Sequence, residues 1–241
     1  MGNDGLQPAY VLHTRRYRES SLVVELLTRD HGRVAALAKG VLGGKRSRQP
    51  LLQPFAPLLV AWRGHGDLPT LTVIEAAGAF RSPKGNALYC GLYINELVLK
   101  LTERRDPHSE LFPVYVVCLA ELLQAGTANT RLEPALRRFE VRLLEELGLG
   151  MSLATDQEGL ALEPERQYRY DFQAGPVLAK TGDHTVQGAT LIALGKGEFG
   201  TEQERVEARR LMRQVVAHHL GGRSLKSREL FRLAGGPGGD R

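Results

Sequence analysis

The sequence predicts an α+β chain, with a small closed barrel of five strands over residues 1–79 and a mainly α-helical domain over residues 80–241. Three features predict it. Between Ala9 and about Gly78, short β-prone runs alternate with turns and no helical period intervenes. After about Phe80, apolar residues recur every three or four positions. From about Met151 to Leu194 that period fails, which marks a small insertion of loops and short strands within the helical domain.

The strands follow in order. Ala9–Thr14 is a short β-prone run, and Ser21–Thr28 is a second that ends at the turn Asp30-His31-Gly32. Arg33–Lys39 returns as its hairpin partner, and a Gly- and Arg-rich loop runs from Gly40 to Gln49. Leu51–Trp62 and Leu68–Glu75 complete the set, with Pro54 and Pro57 bending the start of the fourth run or putting it on an edge. Five short strands in about 70 residues suit closure better than an open sheet.

The first helix carries Leu88, Leu92, Leu97, Val98 and Leu101 on one side and Tyr89, Tyr93 and Ile94 on the other, which requires burial nearly all round. Ser109–Gln124 is a second helix, with Pro113 tolerated in its first turn and Gly126 ending it. Arg131–Leu147 is the most amphipathic segment, stopped by Gly148. A last helix spans about Glu202–Leu220, followed by Gly221-Gly222, a short basic segment and the glycine-rich tail 235–239.

Charge points to a polyanion. Between Leu12 and Arg48 nine basic residues face three acidic ones, and Arg205 to the end repeats that count, a local charge of +6 at each end of a chain whose net charge is +5. The competing reading of such clusters is a solvated surface that maintains solubility. Cys90 and Cys118 sit in apolar helical patterns and read as small buried hydrophobes in a reducing cytoplasm. With no signal-peptide pattern and no apolar run long enough to span a bilayer, a cytoplasmic protein, associated with the nucleoid and without a membrane partner, is expected.

Catalytic patterns fail. Gly40-Val41-Leu42-Gly43-Gly44-Lys45-Arg46-Ser47 approaches a phosphate loop, but it is one residue short between Gly40 and Gly44 and places Arg46 where a hydroxyl must hold magnesium. His218 and His219 are adjacent and diverge on a helix, and His13, His31 and His65 lack ligand-spaced companions. No enzyme, cofactor, metal or small-molecule substrate is expected. Binding remains. A barrel whose loops carry Arg15-Arg16-Tyr17-Arg18 and Lys45-Arg46-Ser47-Arg48 offers cations for phosphates and a ring for base stacking. The alternatives are an RNA-binding barrel and a protein adaptor, of which the second shows no salt-dependent affinity for oligonucleotides.

The ordered blocks Tyr10–Arg15, Glu19–Leu22, Thr28–Arg33, Ala38–Gly40, Leu52–Phe55 and Pro57-Leu58 resemble the N-terminal domain of RecO proteins. The resemblance continues through Gly91–Leu97, Glu110–Phe112, Arg137–Glu140 and Leu225–Leu230, and so covers most of the chain. It implies an OB-fold barrel followed by a helical domain. It also implies DNA repair and recombination work without chemistry, in which single-stranded and double-stranded DNA are bound and complementary strands annealed. With RecR as partner, such a protein helps RecA to load on DNA coated by the single-strand-binding protein SSB. The DNA-binding residues expected on this reading are Arg15, Arg16, Arg18, Arg33, Lys39, Lys45, Arg46, Arg48, Lys226 and Arg228. Many family members bind zinc through four cysteines in the region of about 151–194. This chain has none there, so a zinc-less insertion packed on Tyr168, Tyr170 and Phe172 is expected. The acidic, apolar-ended tail of SSB needs a greasy pocket rimmed by cations. Leu136, Phe139 and Leu143 with Arg137 and Arg138 have that composition. The competing reading puts those apolar residues in the core and pairs the arginines with Glu140 or Glu133.

Overall fold

The structure is a computed structural model that describes residues 3–43, 47–64, 66–125, 129–180 and 184–233. Strands β1 (Asn3–Tyr17), β2 (Ser21–Thr28), β3 (Gly32–Ala38), β4 (Pro57–Arg63) and β5 (Thr70–Ala76) close into a barrel in the order β1-β2-β3-β5-β4. All neighbours are antiparallel except β3 and β5, which meet in parallel at Leu37 and Thr70. Alternation works as the pleat demands: Leu22, Val24 and Leu26 of β2 and Val34, Ala36 and Ala38 of β3 fill the barrel. The first strand is much longer than its β-prone run. Gln7–Tyr10 pair with Pro57–Val60, a stretch in which backbone pairing, not alternation, makes the strand.

A bulge in β1 lets one strand serve two cores. The β1–β2 register shifts between Val11 and His13, so consecutive residues Val11 and Leu12 are both buried. Val11 joins the barrel interior. Leu12 turns outward into a second core, formed with helices α1 (Asn86–Leu101), α2 (Leu111–Ala125) and α3 (Asn129–Glu146). Leu27 and Phe55 enter that same core, which therefore ties barrel and helices together.

The fourth run is shorter than expected. Residues 49–51 form a 3-10 turn, and Phe55 takes a positive φ of 71° with its amide donating to the Val11 carbonyl. That conformation swings the Phe55 ring onto Gly91 of α1, where any β-carbon would lie 2.8 Å from the ring.

The insertion holds a three-stranded sheet, β7-β6-β8, from β6 (Gln167–Asp171), β7 (Gly175–Leu178) and β8 (Val186–Gln187). Its expected limit at Leu194 needs correction. Gly188–Lys196 is helix α4, because Gly188 alone fits beneath the Glu163 carbonyl and the chain can turn there directly from β8 into a helix. Tyr168 is buried in a third core with α4 and α5 (Glu202–Leu220), and Tyr170 packs at its margin. Phe172 instead remains 41% exposed. Helix α5 opens on a capping box, with Thr201 Oγ1 accepting from the Glu204 amide and the Glu204 carboxylate accepting from the Thr201 amide.

The segment after Gly222 is also a helix, α6 (Lys226–Leu233). Glu96 of α1 caps it, accepting from the Lys226 amide (3.0 Å), the Ser227 amide (2.8 Å) and the Ser227 hydroxyl (2.7 Å). Burial pulls the Glu96 carboxyl upward, but these donors and the Lys100 ammonium outweigh it and hold it below its usual range.

Candidate nucleic-acid interface

One end of the barrel gathers the expected cations. Tyr17 pairs with Ser21 across the β1–β2 hairpin, and Leu22 pairs with Ala38 across β2 and β3. The hairpin turn and the start of the loop after β3 thus lie side by side. The Leu42 amide donates to the Ser20 carbonyl at 3.0 Å and fastens the two together. Farther along, the Ser47 hydroxyl donates to the Val41 carbonyl (2.8 Å) and accepts from the Gln49 amide (3.3 Å), so the loop's two limbs are pinned to each other.

Arg15, Arg16, Arg18, Lys39 and Arg48 are exposed, and none makes an ion pair among the described residues. Arg18 lies over the Tyr17 ring, 5.4 Å from its centroid, in a left-handed conformation (φ 56°) that the tight hairpin imposes. A ring partly covered by a guanidinium thus stands beside cations that no described carboxylate neutralises, a combination chemically suited to stacking and to phosphate contacts. Lys45 and Arg46 lie outside the described residues.

Two expected contacts are elsewhere. Arg33 is 13% exposed and braces the barrel against the helices: Nη1 pairs with Glu25 (3.1 Å), Nε donates to Thr102 Oγ1 (3.2 Å) and Nη2 to the Thr102 carbonyl (2.7 Å). All three nitrogens of its fork hold protein partners and the side chain is largely buried, which commits Arg33 to the brace between barrel and helices. Lys226 is exposed, but it opens α6, which is held on α1 and not on the barrel. The Arg228 side chain lies outside the described residues.

The amphipathic helix α3 also needs correction. Leu136 and Leu143 are buried in the core shared with the barrel, while Val141 and Leu144 on another side fill the third core. The helix is sandwiched, so Leu136 and Leu143 have no open face. Arg137 is 9% exposed and pairs at 2.9 Å with Glu140, which is 1% exposed and also accepts from the Tyr93 hydroxyl (2.6 Å).

Arg138 and Phe139, however, do line a groove of about 330 Å³ between α2, α3 and α4. Phe139 forms its floor, Val114 and Val117 of α2 one wall, and Leu194 and Lys196 of α4 the other. Val117 is 58% exposed. Arg138 is held at the rim by Glu121 (2.9 Å) and the Gly197 carbonyl (2.7 Å). Sequence reasoning missed Val114, Val117 and Lys196, which belong to other helices.

Other chemistry is weakly supported. Burial pushes the Cys90 thiol up to about 12 and Cys118 well above its ordinary value, so both stay protonated near neutral pH and poor nucleophiles. Among the described residues no three His, Cys, Asp or Glu side chains converge as metal ligands. No helix among them is long and apolar enough to cross a membrane.

Two family models match the chain: recombination protein O N terminal over residues 4–80, and recombination protein O C terminal over residues 83–229. Individual proteins are similar along most of their length. The DNA repair protein RecO of Methylococcus capsulatus is 50% identical over 228 residues, covering 94% of this chain and 93% of its own. That of Halorhodospira halophila is 47% identical over 231 residues, covering 94% and 96%. That of Dechloromonas aromatica is 41% identical over 229 residues, covering 94% of each.

Proposed function

The chain belongs to the RecO family, and from that premise we propose that it is a DNA repair and recombination accessory protein that binds single-stranded DNA at the cationic end of its barrel. The observation that carries the reading is the juxtaposition of the β1–β2 turn and the loop after β3, fastened by the Leu42–Ser20 bond, with Arg15, Arg16, Arg18, Lys39 and Arg48 free around it. Phosphates track such a cationic lip, and Tyr17 offers a ring to a base. None of these groups reads sequence, so binding is general, and duplex DNA is held by the same phosphate contacts. Annealing follows from bringing neutralised strands together and involves no bond-making step, so the protein is not an enzyme and needs no cofactor. With RecR it helps RecA load on SSB-coated DNA.

The SSB tail is assigned to the α2–α3–α4 groove. An apolar terminal side chain would enter between Val117 and Phe139, with its carboxylate near Arg138 and Lys196.

The test replaces Arg15, Arg16 and Lys39 together by Glu. Affinity for a fluorescent oligothymidylate and the annealing rate should fall together with the melting temperature unchanged. An unaffected triple variant sinks the reading, and much tighter binding of RNA than of DNA of the same length would favour the RNA-binding alternative. For the groove, Arg138→Ala should weaken calorimetric binding of an SSB tail peptide about tenfold or more and leave oligonucleotide affinity intact. Unchanged peptide binding would place the tail elsewhere.

A further inference from the structure

A second cationic cleft lies far along the chain, between the three-stranded sheet and α5. It measures about 640 Å³, within the range of ligand sites. Arg210, Gln214 and His218 stand at four-residue steps on one face of α5 and form one wall. Arg169, Tyr170 and Phe172 from β6 and the turn after it form the opposite wall, and His184 lies at the margin. No carboxylate lines the cleft among the described residues; behind its walls Asp171 pairs with Arg169 at 3.2 Å, and Glu207 lies one turn from Arg210 on α5.

Two features set this cleft apart from an ordinary solvated face. The first is charge. Helix α5 commits Arg205 to Glu202 (2.7 Å) and Arg209 to Glu133 (2.6 Å), whereas Arg210, one turn from Glu207 and within its field, donates to the neutral Thr185 carbonyl and closes no ion pair among the described residues. The second is a platform. Phe172 and His218 stack with centroids 4.4 Å apart and planes 16° from parallel, while Phe172 remains 41% exposed. An exposed phenyl ring laid flat on an imidazole offers a planar face at the mouth of a cationic trough. That suits a nucleotide unit, with the base on the rings and the phosphodiester on the guanidinium. An acidic peptide would use the cations too, and the flat exposed rings are what favour a base over it.

We propose that this cleft is a second single-stranded DNA site, separate from the barrel end. One molecule then holds two strands, one on the lip formed by Arg15, Arg16 and Lys39 and one between Arg210 and the Phe172–His218 platform. Two strands held by one protein meet at high effective concentration, and annealing gains from that. This extends the barrel reading, and the test separates the two.

The experiment compares full-length Phe172→Ala and Arg210→Gln with the barrel triple variant, using a photoreactive oligothymidylate and complementary-strand annealing. The cleft variants should anneal about tenfold more slowly, the loss expected of one base–aromatic stack. Their affinity for a single oligonucleotide at low occupancy should stay within about twofold of wild type, because the barrel site remains. The barrel variant should still crosslink the oligonucleotide to the peptide carrying Phe172 or His218. If Phe172→Ala lowers the melting temperature, Gln214→Glu makes the same comparison by setting a carboxylate on the exposed wall. Annealing at the wild-type rate in these variants, or absence of that crosslink from the barrel variant, overturns the second site. Displacement of the crosslink by an acidic peptide at lower concentration than by DNA overturns it in favour of a protein ligand. Unchanged oligonucleotide affinity in the barrel variant, with the cleft crosslink retained, would refute only the barrel's part.

Discussion

Asn95 joins the two halves of the molecule, and its removal has a calculable cost. The residue is 2% exposed, donates through Nδ2 to the Leu12 carbonyl at 2.9 Å and accepts from the Tyr115 hydroxyl at 2.7 Å. The Leu12 carbonyl is turned toward α1 at the β1 bulge, and Tyr115 is fully buried with its hydroxyl held protonated by burial. Asn95→Ala leaves both partners without this neighbour in a closed site. Each such orphan costs about 1–3 kcal/mol, so the variant should lose about 3 kcal/mol. For a chain of this length that corresponds to a fall of about 6–12 °C in melting temperature. Tyr115→Phe orphans only the Asn95 oxygen and should cost about 1–2 kcal/mol. Chemical denaturation of both single variants and the double variant closes the cycle, with a coupling of about 1 kcal/mol or more expected. Amide exchange should rise around Leu12 and along α1 together. A loss below about 1 kcal/mol for Asn95→Ala, or amide exchange around Leu12 that stays at the wild-type rate, would refute the claim that this bridge locks barrel to helices.

Gly91→Ala should destabilise by about 1–3 kcal/mol, because its methyl would meet the Phe55 ring at 2.8 Å. In a Phe55→Ala background the same change should cost far less, and equal costs in both backgrounds would show that the two do not touch. Glu96 sits below its unfolded value, so its contribution is complete above that value, about 4.3, and is lost as pH falls through the folded one. The melting-temperature gap between wild type and Glu96→Gln should therefore shrink below about pH 4, and a constant gap down to about pH 3 would contradict the α6 cap. Purified protein should hold less than one zinc per chain and keep its melting temperature in chelator. One tightly held zinc would reveal a missed site.

Near neighbours made part of the molecule legible in the sequence. The β-prone runs Ser21–Thr28 and Arg33–Lys39, with the Asp30-His31-Gly32 turn between them, gave the central hairpin, and Gly148 and Gly221 ended their helices in the left-handed conformation (φ 70° and 57°). The features that escaped depend on partners far along the chain. Residues 3–8 carry no β pattern and are strand because β4 pairs with them. Helix α6 forms where a basic segment was expected because Glu96, more than a hundred residues earlier, caps it. Arg33 looked like any other cation of the basic N-terminal segment, yet Thr102 and Glu25 claim it. The groove beside α3 was half visible: Arg138 and Phe139 were named from their own helix, but its walls come from α2 and α4. The Phe172–His218 platform had no signal, since its rings are joined only by the sheet folding onto α5.

The salt dependence of single-stranded DNA binding tests the central claim most directly. If about four phosphates meet Arg15, Arg16, Arg18, Lys39 and their neighbours, log affinity should fall against log salt with a slope near −3, because each single-strand contact contributes about −0.7. Reversing Arg15, Arg16 and Lys39 should flatten that slope to about −1 as it weakens binding. A slope near zero for wild type, or one unchanged in the variant, would contradict binding at the cationic end of the barrel.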